Sequence, residues 1–221
     1  MADFASASRV PVMNGGDGAN EHPTQALLDL YTIGRELQAK GRTIDGLRIA
    51  MIGDLRHVHS LSKLLSLYSN IQVMLISPKE LALPGAIIEQ MRSAGVTVTV
   101  SDELNNSIAN VDIVYSTRIQ EERFTSKAEA DLYRGKFRLN QAIYTKHCEP
   151  NTVIMHPLPR DSRSDANELD SDLDNNPNLA IFRQTDNGLL IRMALFALVL
   201  DVVDKVDDFS REVHWYNSRQ Q

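Results

Sequence analysis

The sequence is short of cysteine, and its single thiol, Cys148, excludes an internal disulfide and agrees with a reducing compartment. It also lacks any basic run. Its formal net charge is -6, and Lys and Arg are scattered among carboxylates, so the clustered positive charge that binds nucleic acid by displacing counterions is missing. Residues 1–10 have neither a positive n-region nor an apolar h-region and do not read as a secretory leader. His57 and His59 stand two apart with no third ligand at a useful spacing, so no metal site is expected. After the first apolar run Gly53 stands alone where a dinucleotide fingerprint needs three glycines, and NAD binding is unsupported. The most apolar stretch, Leu189 to Val206, is broken by Arg192 and Asp201, well short of the ~20 residues that cross a bilayer. No membrane partner is expected.

What is present begins with a glycine-rich loop running into a helix. Gly15, Gly16 and Gly18 loosen the chain, Pro23 suits a first helical position, and Ala26, Leu27, Leu30 and Ile33 recur at helical spacing to about Gln38. His22 stands at the mouth of this helix and Gln25 lies one turn on along the same side. An imidazole, an amide and unpaired backbone N–H groups therefore converge where a small anion or polarised carbonyl is well received. Apolar runs then alternate with helical patterns: strands at Ile49–Ile52, Ile71–Ile76, Val96–Val100, Asp112–Tyr115 and Val153–Met155, and helices at Val58–Tyr68, Pro84–Ala94 and Asp102–Ala109. Strands that are apolar throughout and separated by helices imply a doubly wound parallel α/β sheet, helices on both faces. An acidic, asparagine-rich loop from Asp161 to Asn178 reads as a solvated segment without fixed partners, and Asp186 to Val206 as a long helix with almost no polar face. In such sheets ligands bind outside the carboxyl ends of the strands. That rule selects the segments starting at Gly53, Ser116 and His156.

Six ordered motifs carry a resemblance: Asn20–Asp29 (with His-Pro-Thr-Gln), Met51–Leu55, Val58–Leu61, Tyr115–Arg123, Met155–Arg160, and Phe182–Gln184 with Asn187–Gly188 and Arg192–Leu195. Together they closely resemble aspartate carbamoyltransferase. The ornithine-specific sister has His-Pro-Cys-Gln and a Ser-Met-Gly loop, neither of which occurs here, and is the lesser alternative. The resemblance implies transfer of a carbamoyl group from carbamoyl phosphate to L-aspartate, an early step of pyrimidine synthesis. It implies no cofactor, a cytoplasmic setting and a homotrimer. By motif, His22 would donate to the carbamoyl oxygen. Gln25 and the backbone of Leu158 and Pro159 would hold the carbamoyl group. Arg118 would grip a carboxylate of aspartate with Gln120 beside it, and Asp54 and Pro157 would support the loops.

Two departures shape the remaining expectations. The Gly-Arg-Thr that the family carries before Val58–Leu61 is absent, leaving Arg56 or His57 as substitutes for its arginine. The family's N-terminal domain, with its Ser-Thr-Arg-Thr phosphate loop, finds no counterpart. The expectation is thus a truncated chain, inactive alone, in which residues 1–20 are a connector, 21–38 an interdomain helix, 39–184 the aspartate-binding α/β domain and 185–221 a C-terminal interdomain helix and tail. A non-catalytic remnant or amino-acid-binding scaffold is the competing class. Because both interdomain helices would pack on the other half, the surface of Leu189 to Val203 is expected to be partly bare.

Overall fold

The computed structural model describes residues 2–18, 20–121, 124, 126, 128, 131–163, 166–209 and 211. Strands β1 (Arg48–Ile52), β2 (Gln72–Ile76), β3 (Thr97–Ser101), β4 (Ile113–Ser116) and β5 (Val153–Met155) form one sheet in the order β3-β2-β1-β4-β5. Every pairing is parallel, with Ile49 of β1 opposite both Val73 and Ile113. The order runs outward from β1 in both directions, so the sheet is doubly wound and its switch point lies between β1 and β4.

The apolar strands are buried on two faces. Ile49 and Met51 join one core with Leu61, Leu65 and Met91, whereas Ala50 and Ile52 join a second with Ile108, Phe137, Tyr144 and Leu173. The first core is covered by α2 (Pro23–Gln38), α3 (His59–Leu65) and α4 (Gly85–Ser93); α5 (Gln141–His147) contributes Tyr144 to the second. At the edge, β3 departs from the all-apolar expectation: Val98 is buried but Val100 is 51% exposed, since an edge strand has only partial cover.

Four expectations are corrected. Residues 102–109 are bends and turns rather than a helix: Asn105 and Asn106 favour turns, and Leu104 and Ile108 reach the second core without a helical stripe. The last helix, α6, spans Ile181–Val199, starting earlier and ending sooner than its apolar run suggests. Asp201 stops it by adopting a left-handed conformation (φ 54°), with its N–H on the Leu198 carbonyl. The acidic loop has fixed partners: Asp170 pairs with Arg138 and Asp174 with Arg160 at 2.7 Å, which ties residues 170–174 to the body. A short helix, α1 (Ala2–Ala7), also lies within the stretch read as a plain connector.

Helix α6 packs along α2. A Cβ on Gly188 would fall 3.4 Å from Leu28 Cδ2 and 2.7 Å from Arg192 Nη1, so glycine permits the close approach. Arg192 donates to the Gly188 carbonyl (3.0 Å) rather than to a carboxylate among the described residues. Arg183 pairs with Glu36 (2.6 Å) and Asn187 donates to Thr32 (3.0 Å) across the same contact. The outer side of α6 stays bare: Leu189, Met193, Phe196 and Leu198 are each more than half exposed. No helix among the described residues is long and apolar enough to cross a membrane.

Candidate active site

At the switch point the carboxyl ends of β1, β4 and β5 open onto a cleft of about 420 Å³, closed on its other side by the glycine-rich segment and the start of α2. The two central loops meet in a close backbone contact. Gly53, just beyond β1, has φ +103°, and Thr117 beyond β4 sits against it, its hydroxyl donating to the Ile52 carbonyl at 2.8 Å. Only glycine tolerates both the backbone angle and the contact.

On the α2 side His22 is the N-cap. Its own N–H donates to Ser60 Oγ (3.0 Å) and its ring makes no capping bond, leaving it exposed on the cleft against Gly16. Glu21, beside it, binds the Ser60 hydroxyl and Lys63; despite the cost of burial these partners hold its carboxyl below the usual range. Gln25 also lines the cleft, and its Nε2 donates to Asp29 Oδ1 at 2.9 Å.

On the sheet side Asp54 is buried and acts as an organiser. Its carboxylate caps the turn Leu55–His57, holds the Arg56 guanidinium at 2.9 and 2.7 Å, and accepts from the Gln120 backbone N–H at 3.4 Å. Arg56 is thereby turned onto Asp54 and over the Phe124 ring, 5.0 Å from its centroid, and does not line the cleft. His57 does line it, with Nε2 3.7 Å from Asp54 Oδ1. Of the two substitutes considered for the absent loop arginine, the structure brings only His57 to the cleft wall. Arg118 and Gln120 reach the cleft from beyond β4, and Gln120 Oε1 is buried without a partner among the described residues.

The third wall is the turn after β5. Pro157, Leu158 and Pro159 line the cleft; the Leu158–Pro159 peptide is cis and Leu158 sits at φ +57°. The Leu158 N–H donates to His156 Nδ1 at 2.8 Å, and His156 Nε2 lies 2.6 Å from Glu168 Oε1. The acidic loop thus props the turn from beneath.

Under the cleft runs a buried polar chain. Asp29, 1% exposed, accepts from Gln25, from Gln184 Nε2 (2.6 Å) and from the Tyr115 hydroxyl (2.7 Å). Gln184 Oε1 in turn accepts the His156 backbone N–H at 3.0 Å. Burial pushes the Asp29 carboxyl up to about 6 even against those three hydrogen bonds, and burial with the neighbouring carboxylate pushes the Tyr115 phenol well above its ordinary value.

All eight residues selected from the sequence, His22, Gln25, Asp54, Arg118, Gln120, Pro157, Leu158 and Pro159, line this one cleft. Glu122 and Arg123, within the Tyr115–Arg123 motif, lie outside the described residues. Sequence reasoning missed Asp29, Tyr115, Gln184, His156 and Glu168 as a connected set. Asp29 had a signal, since it stands four residues from Gln25 on the apolar side of a helix, where a carboxylate needs partners. Glu168 had none, being one acidic residue among many in its loop.

Residues 45–199 match the family model described as the Asp/Orn binding domain of aspartate/ornithine carbamoyltransferase, and residues 1–35 match its carbamoyl-P binding domain. The second match corrects the expectation that nothing here corresponds to that domain: the glycine-rich segment and most of α2, with His22 and Gln25, carry its pattern. Among curated proteins, the aspartate carbamoyltransferase catalytic subunit of Saccharophagus degradans is 74% identical over 99% of this chain and 66% of its own length. That of Cellvibrio japonicus is 71% identical over 99% and 65%. The chain therefore spans just under two thirds of these relatives. Among solved structures, the catalytic subunit of M. jannaschii aspartate transcarbamoylase is 38% identical with a TM-score of 0.78, over 92% of this chain and 63% of that one. Aspartate transcarbamoylase from Trypanosoma cruzi in complex with aspartate and phosphate is 35% identical with a TM-score of 0.75, over 88% and 59%.

Proposed function

The chain belongs to the aspartate/ornithine carbamoyltransferase family, and on that ground we propose that its cleft serves carbamoyl transfer from carbamoyl phosphate to L-aspartate, giving N-carbamoyl-L-aspartate and phosphate. The observation that carries this reading is the convergence of four distant segments, around His22, Asp54, Arg118 and Leu158, on one cleft at the switch point of the sheet. The names of the relatives favour aspartate over ornithine.

In this reading the aspartate amine attacks the carbamoyl carbon. A C–N bond forms, the C–O bond to phosphate breaks with its electron pair leaving on phosphate, and the amine gives up one proton to the departing phosphate, which becomes the stronger base as that bond breaks. His22 donates to the carbamoyl oxygen, where negative charge develops. Gln25 Oε1 and the backbone carbonyls of Leu158 and Pro159 accept from the carbamoyl NH₂. Arg118 offers its guanidinium fork to a carboxylate, with Gln120 beside it. No nucleophile of the protein is required; positioning and electrostatics supply the acceleration. The setting that goes with this reading is a cytoplasmic homotrimer at an early step of pyrimidine synthesis.

A second reading, amino-acid binding without turnover by this chain alone, is favoured by one observation. Among the described residues lining the cleft, Arg118 is the only lysine or arginine, a thin complement for a dicarboxylate and a phosphate together. Incubating the purified chain with carbamoyl phosphate and either L-aspartate or L-ornithine, with products identified by mass spectrometry, separates the readings. Carbamoyl aspartate supports transfer to aspartate and citrulline overturns it. Saturable aspartate binding with neither product supports the second.

A further inference from the structure

We propose that Asp29 is a positioning residue that fixes which face the Gln25 amide presents to the cleft and, through Gln184, sets the turn carrying Leu158 and Pro159. An ionised carboxylate only accepts hydrogen bonds. Each group on Asp29 must therefore offer a proton: Gln25 through Nε2, Gln184 through Nε2 and Tyr115 through its hydroxyl. With one N–H of Nε2 held by Asp29, the amide is oriented so that its carbonyl oxygen, on the opposite side, is offered to the cleft. An acceptor there suits an NH₂-bearing ligand and repels a carboxylate. The same commitment turns Gln184 Oε1 to the His156 N–H at the end of β5, where the turn to Pro159 begins. Both walls that would meet a carboxamide thus take their placement from one buried group that does not line the cleft itself. The inference rests on the reading of Gln25 as a carbamoyl contact.

Five variants of the full chain test it, each confirmed folded by thermal melting. Binding of phosphonoacetamide, a stable compound with the terminal carboxamide of carbamoyl phosphate, is measured by calorimetry, and the Gln25 side-chain NH₂ resonances by NMR without ligand. Asp29→Leu, close in size and without an acceptor, is expected to shift the Gln25 NH₂ resonances and weaken binding at least tenfold. Asp29→Asn, which can still present an oxygen to both glutamines, stays within about threefold. In a Gln25→Ala background Asp29→Leu costs clearly less than it does alone, and no more than Gln184→Met, because the part of its effect that runs through Gln25 is already gone and only the Gln184 route is left. Should Asp29→Leu not fold, Gln184→Met, which leaves Asp29 and Gln25 in place, is expected to weaken binding by fivefold or more. Full additivity of the Asp29 and Gln25 changes, unmoved Gln25 resonances, or wild-type affinity in both Asp29→Leu and Gln184→Met overturns the proposal. Shifted Gln25 resonances in Asp29→Leu, with a wild-type chain that does not bind the compound, support the fixing of the amide while overturning the functional reading of Gln25.

Discussion

Gly53 and Thr117 approach so closely that a Cβ on Gly53 would lie 2.3 Å from the Thr117 carbonyl oxygen. Together with the Gln120 N–H on the Asp54 carboxylate, this contact sets the spacing of the loops carrying Asp54 and Arg118. Gly53→Ala is expected to cost at least about 2 kcal/mol, since it adds overpacking against backbone to a positive φ. It should also reduce aspartate binding more than the loss of stability explains. Urea unfolding and calorimetry on one preparation check both; a variant as stable as the parent would show that the loops separate freely.

Arg118→Ala is expected to raise the aspartate Kd or KM about 10- to 100-fold, the worth of a charge-assisted hydrogen-bonded pair of about 1.5–3 kcal/mol. Phosphonoacetamide affinity should hold within about threefold. Equal loss for both ligands would move Arg118 out of the aspartate subsite.

Asp29 gives stability a distinctive pH dependence. Its carboxyl titrates near 6 in the folded protein against 3.8 ordinarily. The folded state therefore holds the extra proton between those values, and stability falls as pH rises from about 4 to about 6, by at most about 3 kcal/mol from this group. Asp112 runs the other way. Despite the cost of burial, Arg42 and Arg48 hold its carboxyl down to about 2, so its contribution is present above pH 3.8 and lost only as pH falls toward 2. The difference in unfolding free energy between wild type and Asp29→Asn, followed from pH 4 to 7, should isolate the Asp29 slope. A pH-independent difference would mean that Asp29 titrates normally.

The bare side of α6 is expected to bind hydrophobic dyes and promote self-association. Met193→Glu with Phe196→Glu should lower dye fluorescence and light scattering while changing stability by no more than about 0.5 kcal/mol per substitution, because both side chains are more than half exposed. Unchanged scattering would locate the sticky surface elsewhere.

Much of this site was legible because its polar residues sit in loops after apolar strands, where a doubly wound sheet leaves them no other place to point. Helix α2 was readable to its ends, Pro23 and Gln38, from one proline and a regular stripe. What lay beneath the cleft was not. Asp29, Gln184 and Glu168 belong to segments whose patterns announce, respectively, a buried helix face, the start of another helix and a solvated loop. Their partnership is a property of the tertiary arrangement. The same reason explains the acidic loop: carboxylates such as Asp170 look like surface charge until Arg138 arrives from a segment some thirty residues earlier.

The strand order has a consequence for how the cleft comes into being. β1 pairs with β4 across some sixty residues of chain, which supply β2 and β3 on its other side. Loop-closure entropy makes such a pairing late relative to the local β1-α3-β2 unit. The cleft is therefore a non-local feature, and its two central loops owe their spacing to a pairing that no neighbouring stretch of chain can make by itself.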